Sequence, residues 1–419
     1  MVSKIGNPFG SSIAHKRFVE WDENKGEEAI KENMRKGKHF MTQFLEDNPD
    51  LTDGKHLLNV IGVDLDDVRS YDRLFWVLPQ TSKEEKIFEL LSQKFNDNKD
   101  FLIGKFGGFP LGDTTIKTQP LVNIQDKYYS FSTSLAFRNI FEITTNLLEK
   151  ADSIYYEQNF KNNTYHNSKD NYIERKTKDV FENFLPKVNF YHSLDYKILM
   201  EDGKEKLTEL DILGIGESHI YIIEVKAGEL NSKHKRGALK GLKDRLKETI
   251  NEGTFQCYRA EKYIEETKNP TFTYIEENSR KTLVIDKTNN KEIIKISVMF
   301  EHFASIAVNL KYLIENGVLS PDYKWTWIVS LYDLMVFRDL IDSEEDFVEY
   351  ISHRINLYER NDVEFQDEID ILGFFLEGKF PINIETTVDK VNIISYRDDI
   401  DDYYTKTGVG ILSKKPQRK

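Results

Sequence analysis

Two hydrophobic periods alternate along the chain, and the changes of period predict its elements. Between Lys83 and Phe95 the apolar residues Ile87, Leu90, Leu91 and Phe95 recur at helical spacing. Tyr128–Phe131 reads as a strand and Leu135–Leu148 as a largely buried helix, followed by a polar loop over Asn159–Asn171. A helix is then predicted over Lys176–Leu185, its apolar face carrying Val180, Phe181, Phe184 and Leu185, and Pro186 ends it. Strand material follows at Val188–Tyr191 and Tyr196–Met200. The Asp202-Gly203 turn signal joins this to Leu207–Leu213, and Gly214–Ser218 turns the chain into His219–Val225. Beyond this meander come a long helix from Leu242 to Ile264 and a buried strand over Ile293–Phe300. The last third predicts a strand at Trp325–Leu331 and helices at Phe347–Leu357 and Ile369–Leu376. The order helix, strands, helix, strand predicts an α/β layer arrangement.

A chain of 419 residues exceeds one ordinary core, and the pattern divides it into 1–165, 166–310 and 311–419. Apolar residues make up 39% and aromatics 12%, enough to build a core and to exclude a disordered chain. No uncharged apolar run approaches the roughly 18 residues of a membrane span, and no signal core follows Met1, so a cytoplasmic protein without a membrane partner is expected. Cys257 is the only cysteine, which excludes an intramolecular disulfide and a Cys-rich zinc site. The phosphate-loop, H-E-x-x-H and G-x-S-x-G motifs are all absent.

Charge alters this picture locally. The net charge of −13 opposes binding to a polyanion, but Lys233–Lys247 holds Lys233, Lys235, Arg236, Lys240, Lys243, Arg245 and Lys247 against Asp244 alone, a net of +6. Such a run is either a solvated helix face or a phosphate-backbone contact. The acidic run Asp398–Asp402 is read as solvated surface.

The chemistry concentrates in Leu207–Leu213 and Ile220–Lys226. Side chains alternate along a strand, so Glu209 and Asp211 are expected on one face, and Glu224 and Lys226 on one face. The intervening turn makes the strands antiparallel neighbours and brings Asp211 beside Glu224. Two close carboxylates repel unless a cation neutralises them, and a hard cation such as Mg²⁺ takes carboxylate and carbonyl oxygens. A neighbouring lysine suits the activation of a water that attacks phosphorus.

Asp211 followed by Glu224-Val225-Lys226 resembles the core of the PD-(D/E)xK, or restriction-endonuclease-like, nucleases over about Tyr172–Glu301. The resemblance implies a core with a central mixed sheet flanked by helices at 166–310, between an N-terminal α+β domain of unknown role and a C-terminal extension packing on the core. It implies that Asp211, Glu224 and the Val225 carbonyl bind Mg²⁺ (or Mn²⁺) and that Lys226 serves the attacking water. Glu182 on the preceding helix and Gln256 on the following one are the expected accessory residues, with Glu209 as an additional candidate. Leu210 stands where many members have proline. In this setting Lys233, Lys235, Arg236, Lys240 and Lys243 would border the cleft and bind the nucleic-acid backbone. Similarity of pattern to bacterial defence-type proteins extends the expectation to anti-phage defence or restriction. The expected substrate is DNA, with RNA as an alternative, and the acidic net charge suggests activation by a protein partner or ATPase subunit. The rival reading is a non-catalytic nucleic-acid- or partner-binding module that retains the nuclease fold.

Overall fold

The computed structural model describes residues 75–103, 107–108, 114–130, 132, 139–199, 203–228, 239–288, 290–323, 325–360, 362–382, 391–408 and 410–419. The chain divides into two compact units between Tyr156 and Glu157.

In the first unit, four short strands form a sheet in the order β1-β4-β3-β2: β1 (Trp76–Val77), β2 (Ser92–Gln93), β3 (Leu121–Ile124) and β4 (Lys127–Tyr129). Helices α1 (Ser82–Leu91) and α2 (Ile140–Ala151) supply Phe88, Leu91 and Ile143 to an apolar cluster with Val77, Leu121 and Tyr128. Thr81 caps α1 by accepting from the Glu84 amide.

The second unit is a mixed seven-stranded sheet flanked by helices, in the order β11-β10-β7-β6-β5-β8-β9. Its strands are β5 (Asn189–Leu199), β6 (Glu205–Ile215), β7 (His219–Lys226), β8 (Thr271–Glu276), β9 (Ser279–Val284), β10 (Glu292–Met299) and β11 (Trp327–Ser330). The pairs β7–β10 and β10–β11 are parallel; the remaining pairs are antiparallel. A strand covered on both faces has no solvent face to keep polar. That is why β7 reads Ile-Tyr-Ile-Ile-Glu-Val with every one of these residues buried.

One face of the sheet packs against α3 (Lys169–Phe184), α6 (Leu331–Leu340), α7 (Glu344–Glu359) and α8 (Glu368–Leu376) in a cluster that includes Phe181, Tyr221, Ile223, Trp327, Phe337 and Phe375. The other face packs against α5 (Glu252–Glu266) through Ile222, Leu213, Cys257, Ala260 and Ile264. Helix α4 (Leu239–Leu246) leads into α5 through a five-residue π turn, Lys247–Asn251. A last helix, α9 (Asp398–Gly408), begins at the acidic run and buries Ile400.

The boundaries differ from the sequence expectation for identifiable reasons. Residues 311–419, expected as an extension, supply β11 to the central sheet and much of the larger apolar cluster. The strand at Trp327 stops at Ser330, whose side chain accepts from the Asp333 amide and starts α6. The expected strands around Val188 and Tyr196 are one long strand. The β8–β9 hairpin turns at Glu277 and Asn278, both at positive φ (49° and 60°), without the glycine that usually betrays such a turn. Helix α3 starts at Lys169, because Ser168 caps it by accepting from the Asn171 amide. Among the described residues no helix is long and apolar enough to cross a membrane.

Candidate active site

Strands β6 and β7 pair in the register Ile212↔Ile223, so one step further sets Asp211 across from Glu224. Regular pairing ends there, and the Val225 amide instead donates to Asp211 Oδ2 at 2.7 Å. On the other side of β6 the register places Ser193 opposite Asp211, and Ser193 has φ 54°. Leu210 and Leu213 pack in the same apolar cluster although they stand three apart. Alternation is therefore broken at Asp211, and the shared face expected for Glu209 and Asp211 does not follow from the strand period. Glu209 turns to Ser193, whose Oγ donates to its Oε1 at 2.5 Å.

Glu224 is 1% exposed. Its Oε2 accepts from Lys226 Nζ at 3.4 Å, while Oε1 has no hydrogen-bond partner among the described residues. The Oγ of Ser297, its register partner on β10, is likewise buried without a partner. Lys226 Nζ also donates to Gln256 Oε1, so the ammonium is held between a strand carboxylate and a helix amide. Helix α5 comes this close because residue 253 is glycine: a Cβ there would lie 2.3 Å from Ser297 Oγ.

Burial and like charge govern both acids. Burial, then the charge of Glu174, pushes the Asp211 carboxyl up to about 6 against the pull of Lys226 and the Val225 amide. Burial, then Asp211, holds Glu224 well above the usual carboxylate range, with Lys226 opposing. Among the described residues no group of three or more His, Cys, Asp or Glu side chains forms a ready metal cage. The donor set here has another form, two carboxylates beside a strand backbone. The unpartnered Glu224 Oε1 next to Asp211 fits a hard cation, which would satisfy that oxygen and remove the repulsion.

No family model, curated protein or solved structure matches this chain.

A cavity of about 1240 Å³ opens beside this strand end; Val225, Lys226, Glu174, His192 and Glu209 line it, whereas Asp211, Glu224 and Gln256 do not. Six carboxylates and four Lys or Arg side chains line it among the described residues, so its wall is acidic overall. Two carboxylates of α3 line the cavity, Asp170 and Glu174; Glu174, the one whose charge acts on Asp211, has Oε2 3.3 Å from His192 Nε2. Glu182, expected in this role, lies two turns further along α3, where its carboxylate pairs with Lys178 at 2.5 Å, and it does not line the cavity. The capping serine at 168 was the signal for Glu174, since a helix begun at Lys176 leaves it outside.

Lys240 and Lys243 are exposed on α4 and do not line the cavity, whereas Arg245 does. Lys233, Lys235 and Arg236 lie outside the described residues. Cys257 is fully buried, its Sγ donating to the Ile296 carbonyl at 3.4 Å, and burial pushes the thiol up. It is a packing residue.

Proposed function

We propose that the second unit is a metal-dependent nuclease that hydrolyses DNA phosphodiester bonds. The observation that carries this reading is the convergence of Asp211, Glu224 and Lys226 at the end of two buried strands, with Glu224 Oε1 unpartnered. Asp211, Glu224 and the Val225 carbonyl would hold Mg²⁺ or Mn²⁺, which when bound supplies Lewis-acid stabilisation of charge on a phosphate. Lys226, aimed by Gln256, holds the attacking water and stabilises charge developing on phosphorus-bound oxygen. Glu174 takes the accessory place on the preceding helix and, through its contact with His192, borders the path of that water.

The net charge of −13 and the acidic cavity wall support conditional activity, released by a protein partner in a defence or restriction setting. Purified protein is incubated with supercoiled plasmid, linear DNA and RNA in Mg²⁺, Mn²⁺ or EDTA, beside Asp211→Ala and Lys226→Ala. Metal-dependent nicking lost in both variants supports the reading. Full-rate cleavage by the isolated chain defeats the conditional part, and absence of both cleavage and metal-induced stabilisation favours a binding module on the same fold.

A further inference from the structure

We infer that Arg175 is a phosphate anchor of the cleft, binding a DNA backbone phosphate beside the one that is cleaved. The inference rests on the nuclease reading and adds the point at which the strand is gripped.

Arg175 follows Glu174 on α3, is half-buried, and lines the same cavity as Lys226. No described carboxylate holds its guanidinium: it donates to the His166 carbonyl and, at 3.2 Å, to Asn167 Oδ1, and it lies 3.5 Å from His166 Nδ1. Among the described residues no carboxylate lies within ion-pair distance of it. The other three cations of the lining each carry an acid of their own. Lys226 meets Glu224 at 3.4 Å, Arg245 meets Glu248 at 3.0 Å and Arg280 meets Asp195 at 3.4 Å. Arg175 thus keeps a net positive charge to offer inside an otherwise acidic wall.

Its geometry suits that role. A guanidinium carries five N–H donors in a rigid fork that matches the oxygens of a phosphate. These contacts with His166 and Asn167 fix the plane of the fork and leave donors unspent. A half-buried charge without a counter-ion is costly, and an incoming phosphate removes that cost. Its neighbour Glu174 also raises the Asp211 carboxyl, so the anchor stands close to the proposed chemistry.

The competing explanation is that Arg175 only ties the loop at His166 and Asn167 to α3. Binding separates the two. A fluorescein-labelled DNA duplex is titrated with full-length Lys226→Ala protein, which leaves the duplex uncut, with and without Arg175→Ala or Arg175→Lys, at several salt concentrations. Arg175→Ala should weaken binding about tenfold and lower the slope of log K against log salt by about one. Arg175→Lys should keep the slope and lose about threefold in affinity, because the charge stays and the fork goes. In the otherwise wild-type chain, Arg175→Ala should raise KM for DNA with kcat nearly unchanged. An affinity and slope unmoved in both variants, with wild-type cleavage intact, overturns the anchor and spares the nuclease reading. A wild-type chain that neither binds nor cuts DNA and gains no stability from Mg²⁺ overturns both. If Arg175→Ala melts early, the affinity of Arg175→Lys decides.

Discussion

The Val225 amide donates to Asp211 Oδ2 at 2.7 Å at the point where β6 and β7 cease to pair. A side chain thus replaces the next backbone acceptor, and it fixes one carboxylate against the strand that bears the other. Asparagine keeps an acceptor for this bond and removes the charge that opposes Glu224. Asp211→Asn should therefore raise the melting temperature of metal-free protein, by an amount of order 1 kcal/mol in stability, while abolishing stabilisation by Mg²⁺. Differential scanning fluorimetry with EDTA and with Mg²⁺ checks both halves. A lower metal-free Tm would show that the two carboxylates are not in conflict.

Lys226 and Gln256 should separate kinetically. Lys226→Ala removes the ammonium itself and is expected to lower kcat about 10²–10⁴-fold. Gln256→Ala leaves the ammonium in place but unaimed, so a loss of roughly tenfold in kcat with little change in KM is expected. Equal losses in the two variants would mean that Gln256 does more than position the lysine.

Glu368, which does not line the cavity, is the hub of a buried network. Its Oε1 accepts from Trp327 Nε1 at 2.7 Å, Tyr350 Oη at 2.5 Å and Arg354 Nε at 2.8 Å. Glu368→Ala would leave Arg354, itself 2% exposed, without its counter-charge, at a cost of about 3–5 kcal/mol. Urea denaturation monitored by tryptophan fluorescence measures it, and a cost below 1 kcal/mol would contradict the burial of the pair.

His302 gives the second unit a stability that depends on pH. Its hydrogen bond to Asp333, 3.5 Å away, raises its pKa above the usual 6.5; burial opposes, and the charges of Asp333, Asp367 and Glu301 assist. A raised histidine stabilises the fold fully below its unfolded pKa and loses that contribution as pH rises through the folded value. His302→Ala should therefore lower Tm at pH 5.5 and leave it unchanged at pH 8.5. The side chain is 42% exposed, so screening keeps the effect within about 1 kcal/mol. A Tm difference that persists at pH 8.5 would indicate lost packing instead.

What the sequence disclosed follows from the range over which its signals act. Asp211, Glu224 and Lys226 were legible because a turn and two apolar strands fix their spacing, and Gln256 because its helix follows directly. Glu174 and Arg175 were missed because the helix predicted from Val180, Phe181, Phe184 and Leu185 begins at Lys176, whereas Ser168 starts α3 two turns earlier and Ile173 carries its apolar stripe back to that end. The hairpin of β8 and β9 was hidden because Glu277 and Asn278 take positive φ without glycine. The union of 311–419 with the core depends on β11 reaching β10 in parallel register, a pairing set by packing over long sequence separation.

The π turn at Lys247–Asn251 makes the helix behind the site a matter of phase. Each residue added to or removed from a helix turns everything beyond it by about 100°. Loss of a single residue within the turn would leave every side chain of α5 unchanged and yet swing Gln256 away from Lys226. The aim of that amide is an angular setting, stored in the length of five residues to which the lysine makes no hydrogen bond, and a lineage could detune or restore it by insertion and deletion without substituting any residue of the site.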